Sequence, residues 1–555
     1  MSKKVVIVGG VAGGASTAAR LRRLDENLEI ILFEKGRYIS YANCGLPYYI
    51  GGTIKDRKQL LVQTAAAMKN RFNIDVREKS EVVEINRDKK EVKIKNIESG
   101  EEYFETYDDL VLSPGAFPFL PKLPGFDLEK IFTMRDVPDT DRLKEFIDNN
   151  KPQHAIVVGG GFIGIENAEN FHKLGMKVTL IQSGNQLMNP VDYEMAAIIH
   201  NHVRSKGVDI VFNEAVKEFR TNPEDGSVRV VLNSGKQVVG DFVLLAIGVR
   251  PNVELAKNSG LEIGTTGGIK VDNYLRTNDK NIYAIGDAVE VTDLVSGEPI
   301  LIPLAGPANR MGRIVANNIL GRDEKYENTQ GTAIIKIFDL TLANSGNAEK
   351  SLKKRGVEYF STITHSASHA TYYPGSTMMA IKLIYSRAGK ILGSQIVGVD
   401  GVDKRMDVLS VAIRHGLSVF DLCNFELAYA PPFSSAKDPV NMAGYAATNL
   451  VNGDIDVVNY EAALSADLSR TYLLDVREPF EYEAGHIPGA INIPLNKIRE
   501  RLSEIPKDKE IIANCQVGLR SYIGVRILRQ NGFNAKNLSG GYKTYKAVED
   551  DIGSR

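Results

Sequence analysis

Val5-Val6-Ile7-Val8-Gly9-Gly10-Val11-Ala12-Gly13-Gly14 reads as a short buried strand running directly into a glycine turn. A helical segment follows from Ser16 to Leu24, and then a second strand, Glu29-Ile30-Ile31-Leu32-Phe33-Glu34. Strand, glycine turn, helix and strand in that order open a parallel βαβ unit. The pattern returns at Ala155-Ile156-Val157-Val158-Gly159-Gly160-Gly161-Phe162-Ile163-Gly164, with a helix to Leu174-Gly175 and a strand Lys177–Gln182. The two openings stand 150 residues apart, which predicts one unit inserted into or following the other.

Such turns let the backbone approach a pyrophosphate, whose charge the helix N-terminus stabilises. In the first unit Gly9 and Gly14 fit, and Glu34 is the acid placed to hydrogen-bond an adenosine ribose. Val11 stands where a middle glycine is usual, so this match alone would also suit a packing turn. The second unit keeps Gly159, Gly161 and Gly164, but carries Gln182 at the acid position. Glutamine neither repels nor strongly attracts a 2′-phosphate, so NADH and NADPH both stay open. Two further segments fit a flavin. Ile282–Ala288 is a strand ending in Gly286-Asp287, where the Asp287 carboxylate can accept from a ribityl hydroxyl. Leu112-Ser113-Pro114-Gly115-Ala116 is a strand exit with a counterpart at Leu245–Pro251.

With 555 residues the chain should form three or four domains. A net charge of −1, with scattered Lys and Arg, implies no nucleic-acid partner. Three cysteines argue against a disulfide framework and for a reducing compartment. No apolar run is long enough to span a bilayer, and glycines interrupt the apolar start too early for a secretion signal. A cytoplasmic protein without membrane association is expected. Alternating strands fall near 80–113 and 208–248. An α+β unit begins near 330, with strands at Ala333–Phe338 and Met379–Tyr385 and a helix near 403–415. A linker-like stretch at 450–454 precedes a last α/β module.

Cys44 lies in Ser40-Tyr41-Ala42-Asn43-Cys44-Gly45-Leu46-Pro47, with no second cysteine near it. A lone reactive thiol must carry a mixed disulfide, a persulfide or a sulfenic acid. Together with the nucleotide motifs, residues 1–447 resemble the flavoprotein disulfide reductases with two dinucleotide-binding domains. Tyr49 occupies the position of the second cysteine of the two-cysteine branch, so the chain is similar to the single-cysteine branch: coenzyme A-disulfide reductases, NADH oxidases and NADH peroxidases. The Ser40-x-x-Asn43-Cys44 pattern resembles the first of these most closely. The resemblance implies FAD on the first unit, NAD(P)H on the second and a homodimer. It also implies coenzyme A held by Ser40 and Asn43, with Arg20 and Arg23, which share one helix face, and the weaker candidates Arg71 and Lys437. From spacing alone the two arginines could equally be a solvated face. The resemblance further implies catalytic tyrosines from the dimerisation domain. Tyr429 matches one. The second maps to Tyr372 or Tyr373, or to neither, because Thr371 disturbs the register. Local amides and the flavin are expected to keep Cys44 ionised.

The last module places Leu473-Leu474-Asp475-Val476-Arg477, then Gly485-His486-Ile487-Pro488-Gly489, then Ile511-Ile512-Ala513-Asn514-Cys515 before a loop and a helix. A cysteine between a strand end and a helix start receives backbone N–H groups that stabilise a thiolate or persulfide. Arg520 should add charge. Over its whole length the module resembles a rhodanese domain, in which such a cysteine carries a sulfane sulfur. The Cys515-to-Arg520 interval is one residue short of the phosphatase C-x5-R spacing, which favours sulfur over phosphorus. Asp475 and Arg477 should hold the loop. Cys423 sits in no motif and reads as a small core residue.

The expected architecture is α/β throughout: an FAD domain at 1–112 and 249–325, an NAD(P)H domain at 113–248, an α+β dimerisation domain at 326–450 and a rhodanese-like domain at 456–555. The expected activity is NAD(P)H-dependent reduction of coenzyme A disulfide, persulfide or polysulfide, through a Cys44–coenzyme A mixed disulfide and a Cys515 persulfide. Two other readings stay open: a peroxidase or oxidase cycling a Cys44 sulfenic acid, and a redox sensor or sulfur carrier that binds without turnover.

Overall fold

A computed structural model describes residues 2–555. The chain divides into two compact units, 1–183 with 214–331, and 184–213 with 332–555.

The first unit holds two parallel sheets. One runs in the order 282–284, 109–112, 4–8, 29–33, 75–77. Val5, Val6 and Ile7 are fully buried at its centre, because helices cover both faces of a parallel sheet. The second sheet places 154–158 between 242–245 and 177–181, again parallel. Two three-stranded antiparallel sheets, 80–86 with 91–96 and 102–106, and 216–221 with 228–232 and 237–240, accompany them. The helix Gly13–Leu24 is crossed closely by the helix Ala305–Ile319. A Cβ on Gly312 would lie 2.5 Å from the Gly13 carbonyl oxygen, so only glycine permits that approach.

The second unit opens its dimerisation part with a five-stranded antiparallel sheet in the order 333–337, 340–346, 391–398, 378–385, 360–367. The helix expected near 403–415 spans Val402–Arg414. The last module is a five-stranded parallel sheet, 456–458, 535–538, 510–514, 471–475, 491–492, flanked by helices at Leu519–Gln530 and Gly541–Gly553. The helix Tyr193–Ser205, which follows the second nucleotide motif in sequence, folds with this unit. It meets the final helix through a buried cluster. Asp551 accepts from His200 Nδ1 at 3.0 Å, Tyr193 Oη at 2.5 Å, Arg204 at 2.6 Å and Arg555 at 2.9 Å. His200 Nε2 accepts the Leu187 N–H at 2.9 Å, so the imidazole is neutral and donates from Nδ1.

Among the described residues, no helix is long and apolar enough to cross a membrane.

Candidate functional site

The two glycine turns are built alike. Gly9 and Gly159 have φ of +90° and +112°, which side chains rarely adopt. A Cβ on Gly9 would lie 2.2 Å from the Ser113 carbonyl oxygen, and one on Gly159 would lie 2.2 Å from that of Ala246. The third glycines, Gly14 and Gly164, would place a Cβ 1.8 and 1.9 Å from the carbonyl oxygens of Gly9 and Gly159. These four glycines are therefore demanded by the protein itself. Gly161 has open space around its absent Cβ, which is the room a pyrophosphate needs beside the backbone. That division of labour explains why Val11 is tolerated in the first turn. Glu34 accepts the Gly10 N–H at 3.0 Å and Gln182 accepts the Gly160 N–H at 2.9 Å, so both hold equivalent places. Burial pushes the Glu34 carboxyl up, against the Gly36 and Gly10 N–H bonds. The strand exits at Ser113–Gly115 and Ala246–Gly248 are paired by an antiparallel ladder, Ala116–Pro118 with Val249–Pro251. The donor sets and cradles thus fit two dinucleotides.

Ser40 and Tyr41 form a short strand paired with Leu61–Gln63, which delivers the chain into the 3-10 turn Asn43–Gly45 and the helix Leu46–Ile50. Cys44 and Asn43 are exposed on that turn. Partial desolvation pushes the Cys44 thiol up, the Glu166 and Asp287 carboxylates push it further, and only its own backbone N–H opposes them. Local amides are too few to outweigh two nearby acids.

A cavity of about 380 Å³ opens at Ser40, on the strand that leads into this turn. Its wall brings together Arg20, Arg23 and Ser40, as expected, with the apolar Val62, Met68 and Phe72 opposite. It also includes Ser16, Asn309 and Arg313, which sequence spacing did not flag. The last two come from the helix 305–319, far away in the chain, and only the Gly312 crossing brings them in. Arg20 donates to Asn317 Oδ1 at 3.1 Å. Desolvation first, and then Arg313, Arg322 and Arg23, pull the Arg20 guanidinium down. Mutually repelling guanidiniums in one cavity suit a polyanionic ligand. Arg71 is exposed and does not line the cavity, although its neighbour Phe72 does. Lys437 is exposed in the turn before the helix 439–451 of the second unit.

In the second unit Tyr372 and Tyr429 share a hydrogen bond between their hydroxyls at 3.0 Å, and both are exposed. Tyr372 is therefore the partner of Tyr429. Tyr373 turns to His369, with ring centroids 5.8 Å apart.

Cys515 is buried at the end of the strand 510–514. Its sulfur accepts from the Gly518 N–H at 3.2 Å and from Ser521 Oγ at 3.5 Å. Gly541 packs so tightly behind the loop that a Cβ would lie 2.5 Å from the Cys515 carbonyl oxygen. Arg520 acts on the Cys515 sulfur and is anchored by Glu481. Both of its terminal nitrogens are engaged by Glu481, at 2.6 and 2.7 Å. Arg477 holds the loop, bonding Asp475 at 2.7 Å, the Gly485 carbonyl at 2.7 Å and Gln516 at 3.2 Å, and lying over the Tyr542 ring. Cys423 is half-buried and donates to the Val419 carbonyl at 3.4 Å.

Sequence reasoning also passed over Glu166, two residues beyond Gly164. Its Oε1 accepts from Tyr48 Oη at 3.3 Å, one turn after Cys44. Burial pushes its carboxyl up to about 7, Tyr48 opposes that shift and Glu169 adds to it.

The chain belongs to the pyridine nucleotide-disulphide oxidoreductase family, whose model matches residues 3–308. The family's dimerisation domain matches residues 332–439 and a rhodanese-like domain matches residues 459–548. It is a flavoprotein oxidoreductase of α/β architecture that uses FAD and NAD(P)H, with a C-terminal rhodanese domain. Among solved structures it is similar to reduced Bacillus anthracis CoADR-RHD, with 51% identity, a TM-score of 0.96 and 99% of each chain covered. It is also similar to a NAD-dependent persulfide reductase from A. fulgidus, with 39% identity and a TM-score of 0.91, over 98% of this chain and 100% of that one. The coenzyme A disulfide reductase of Staphylococcus haemolyticus is 36% identical over 450 residues, covering 81% of this chain and all of that protein. The resemblance to coenzyme A-disulfide reductases with a C-terminal rhodanese domain is thereby shown.

Proposed function

We propose that the protein reduces coenzyme A disulfide or coenzyme A persulfide with electrons from NAD(P)H, using Cys44 as the thiol that carries coenzyme A. The observation that carries this reading is the arginine-lined cavity whose wall includes Ser40, four residues before Cys44 in the chain. A small inorganic polysulfide would not need three guanidiniums. A nucleotide with several phosphates would.

The Cys44 thiolate attacks a sulfur of the bound disulfide and expels the other half as a thiolate. With coenzyme A persulfide, attack on the inner sulfur forms the Cys44–coenzyme A disulfide and releases hydrosulfide. Bound FAD supplies the two electrons, taken from NAD(P)H, that return this disulfide to Cys44 thiolate and coenzyme A thiolate. One proton then gives free coenzyme A. Arg20, Arg23 and Arg313 anchor the nucleotide end, while Ser40 and Asn43 orient the pantetheine end. Tyr372 and Tyr429 supply the proton, each dimer site being completed by the partner's pair. Cys515, in its loop of N–H donors, holds sulfane sulfur and passes it to a thiol such as coenzyme A. The assignment of 1–112 with 249–325 to FAD and 113–248 to NAD(P)H belongs to the same reading.

Mass spectrometry of the native, non-reduced protein tests it, with Cys44→Ser as control. A coenzyme A adduct on the Cys44 peptide is expected. A Cys44 peptide bearing only oxygen would overturn the carrier role and favour a peroxidase or oxidase.

A further inference from the structure

The last module meets the dimerisation sheet at the strand 360–367, which is that sheet's edge. An edge strand carries backbone N–H groups with no ladder partner. One of them, on Ile363, donates to Ser539 Oγ at 2.8 Å. Two residues on, His365 Nε2 and Thr544 Oγ1 share a hydrogen bond of 2.8 Å. Ser539 and Thr544 are both buried. Gly540 stands between them with φ of +70°, and a Cβ there would lie 3.1 Å from Ile363 Cγ2 and 2.1 Å from Thr544 Oγ1. The strand thus holds the module at 539 and again at 544.

Between those two points lies the back of the sulfur site. The final helix begins at Gly541, and its first N–H groups have no partner inside the helix. Tyr542 N–H donates to the Cys515 carbonyl at 2.8 Å, and Lys543 N–H donates to the Gln516 carbonyl at 2.9 Å. A Cβ on Gly541 would lie 2.8 Å from the Gly518 nitrogen and 2.9 Å from the Val517 nitrogen. The Gly518 N–H in turn donates to Cys515 Sγ at 3.2 Å. A continuous line of contacts therefore runs from the edge strand to the sulfur. A cavity of about 490 Å³ opens beside Ile363 and Ser539, so the bond between them does not sit in a continuous apolar core.

We propose that Ser539, Thr544 and His365 are positioning residues for sulfur transfer at Cys515, which makes the edge strand of the dimerisation sheet a working part of the sulfur site. The proposal rests on the reading of Cys515 as a sulfur carrier. With thiosulfate as donor, the Cys515 thiolate attacks the outer sulfur, a new S–S bond forms, and sulfite leaves with the electron pair of the bond that breaks. The persulfide keeps one negative charge, which the N–H groups of the loop must meet. Their aim depends on the segment 540–543, and that segment is fixed by the bonds at either end of it.

The test uses the full-length holoenzyme mixed with thiosulfate, with sulfur gain on the Cys515 peptide followed by mass spectrometry through a single turnover. Thr544→Val keeps the shape of the side chain and removes its hydroxyl, whereas Thr544→Ser keeps the hydroxyl and loses a methyl group. Thr544→Val and Ser539→Ala should each slow sulfur gain at saturating thiosulfate by about fivefold, the size of one hydrogen bond. Thr544→Ser should react like wild type. Flavin reduction by NAD(P)H should not change in any of them, because the glycine turns fold in the other unit. Slowing in Thr544→Ser but not in Thr544→Val would assign the contact to packing and overturn the proposal. Wild-type rates in both Thr544→Val and Ser539→Ala would overturn it as well. Should those variants fail to fold, His365→Phe leaves the module's own residues intact, and an unchanged rate there overturns the proposal alone. No sulfur gain in wild type would overturn the carrier reading and this proposal together, so the two failures are told apart.

Discussion

At the scale of single residues, the glycine turns show how strictly one hydrogen atom can be required. A methyl group at position 164 meets the Gly159 carbonyl oxygen at 1.9 Å, against backbone that cannot yield. Gly164→Ala should destabilise the second nucleotide unit by about 1–3 kcal/mol. It should also weaken NAD(P)H binding, measured by thermal unfolding and nucleotide titration. Gly161→Ala, facing open space, should leave stability unchanged and weaken binding only. The arginines act differently. Replacing Arg23 and Arg313 together by Gln should raise KM for coenzyme A disulfide about tenfold or more while kcat changes little, since anchoring at a remote phosphate is lost equally from ground and transition states. Pantethine, which lacks the phosphates, should show no such increase in steady-state assays. Cys44→Ser should lower disulfide reduction on the order of a thousandfold or more, because the nucleophile itself is lost.

At the scale of elements, the contact between the helices 193–205 and 541–553 centres on one carboxylate, beside the Asn201 bond to the Ala547 carbonyl and the packing of Ala197 with Val548. Asp551 is fully buried, and His200, Tyr193 and Arg204 hold its carboxyl far below the usual range against the cost of burial. A carboxyl depressed in the folded state contributes stability above its unfolded value, about 3.9, and that contribution is lost as pH falls through the folded value. Asp551→Asn should therefore lower stability at neutral pH by about 3–5 kcal/mol, the range for breaking a buried ion pair. The gap between variant and wild type should narrow below about pH 4. Thermal unfolding across pH, with hydrogen exchange at residues 541–553, checks both. The cluster at Lys382 is a second such element. The ammonium is buried with Asp192 at 3.0 Å, Glu349 at 3.1 Å and Glu194. It ties strand 378–385 to the start of helix 193–205 and to helix Glu349–Lys354.

At the scale of the whole molecule, two sulfur centres share one chain and differ in their surroundings. Cys44 is exposed and acted on by two acids, whereas Cys515 is buried in a loop whose arginine is anchored by Glu481. The first suits exchange with a large thiol, the second suits storage of a single sulfur. Cys515→Ser should abolish transfer of sulfane sulfur from thiosulfate to a thiol acceptor, measured as sulfide or persulfide formed. Glu481→Ala should release Arg520 toward the loop and make that transfer more dependent on salt, because exposed charges are screened and paired ones less so.

The sequence by itself determined the nucleotide turns, the resemblance to the disulfide reductases with a rhodanese module, and the α/β class. Each of these depends on local chemistry: glycine where a carbonyl oxygen crowds the backbone, alternation where a strand is half-buried, a cysteine where a strand meets a helix. Tertiary structure alone decided which distant residues meet. Arg313 joins Arg20 only because Gly312 lets two helices touch, and Glu166 meets Tyr48 where Gly51 lets another pair come close. Arg520 is anchored by a residue 39 positions away. The bond between the Tyr372 and Tyr429 hydroxyls likewise joins residues 57 positions apart. Charge acts through space, and nothing in the spacing of a chain records which distant side chains the fold will bring within a few ångströms.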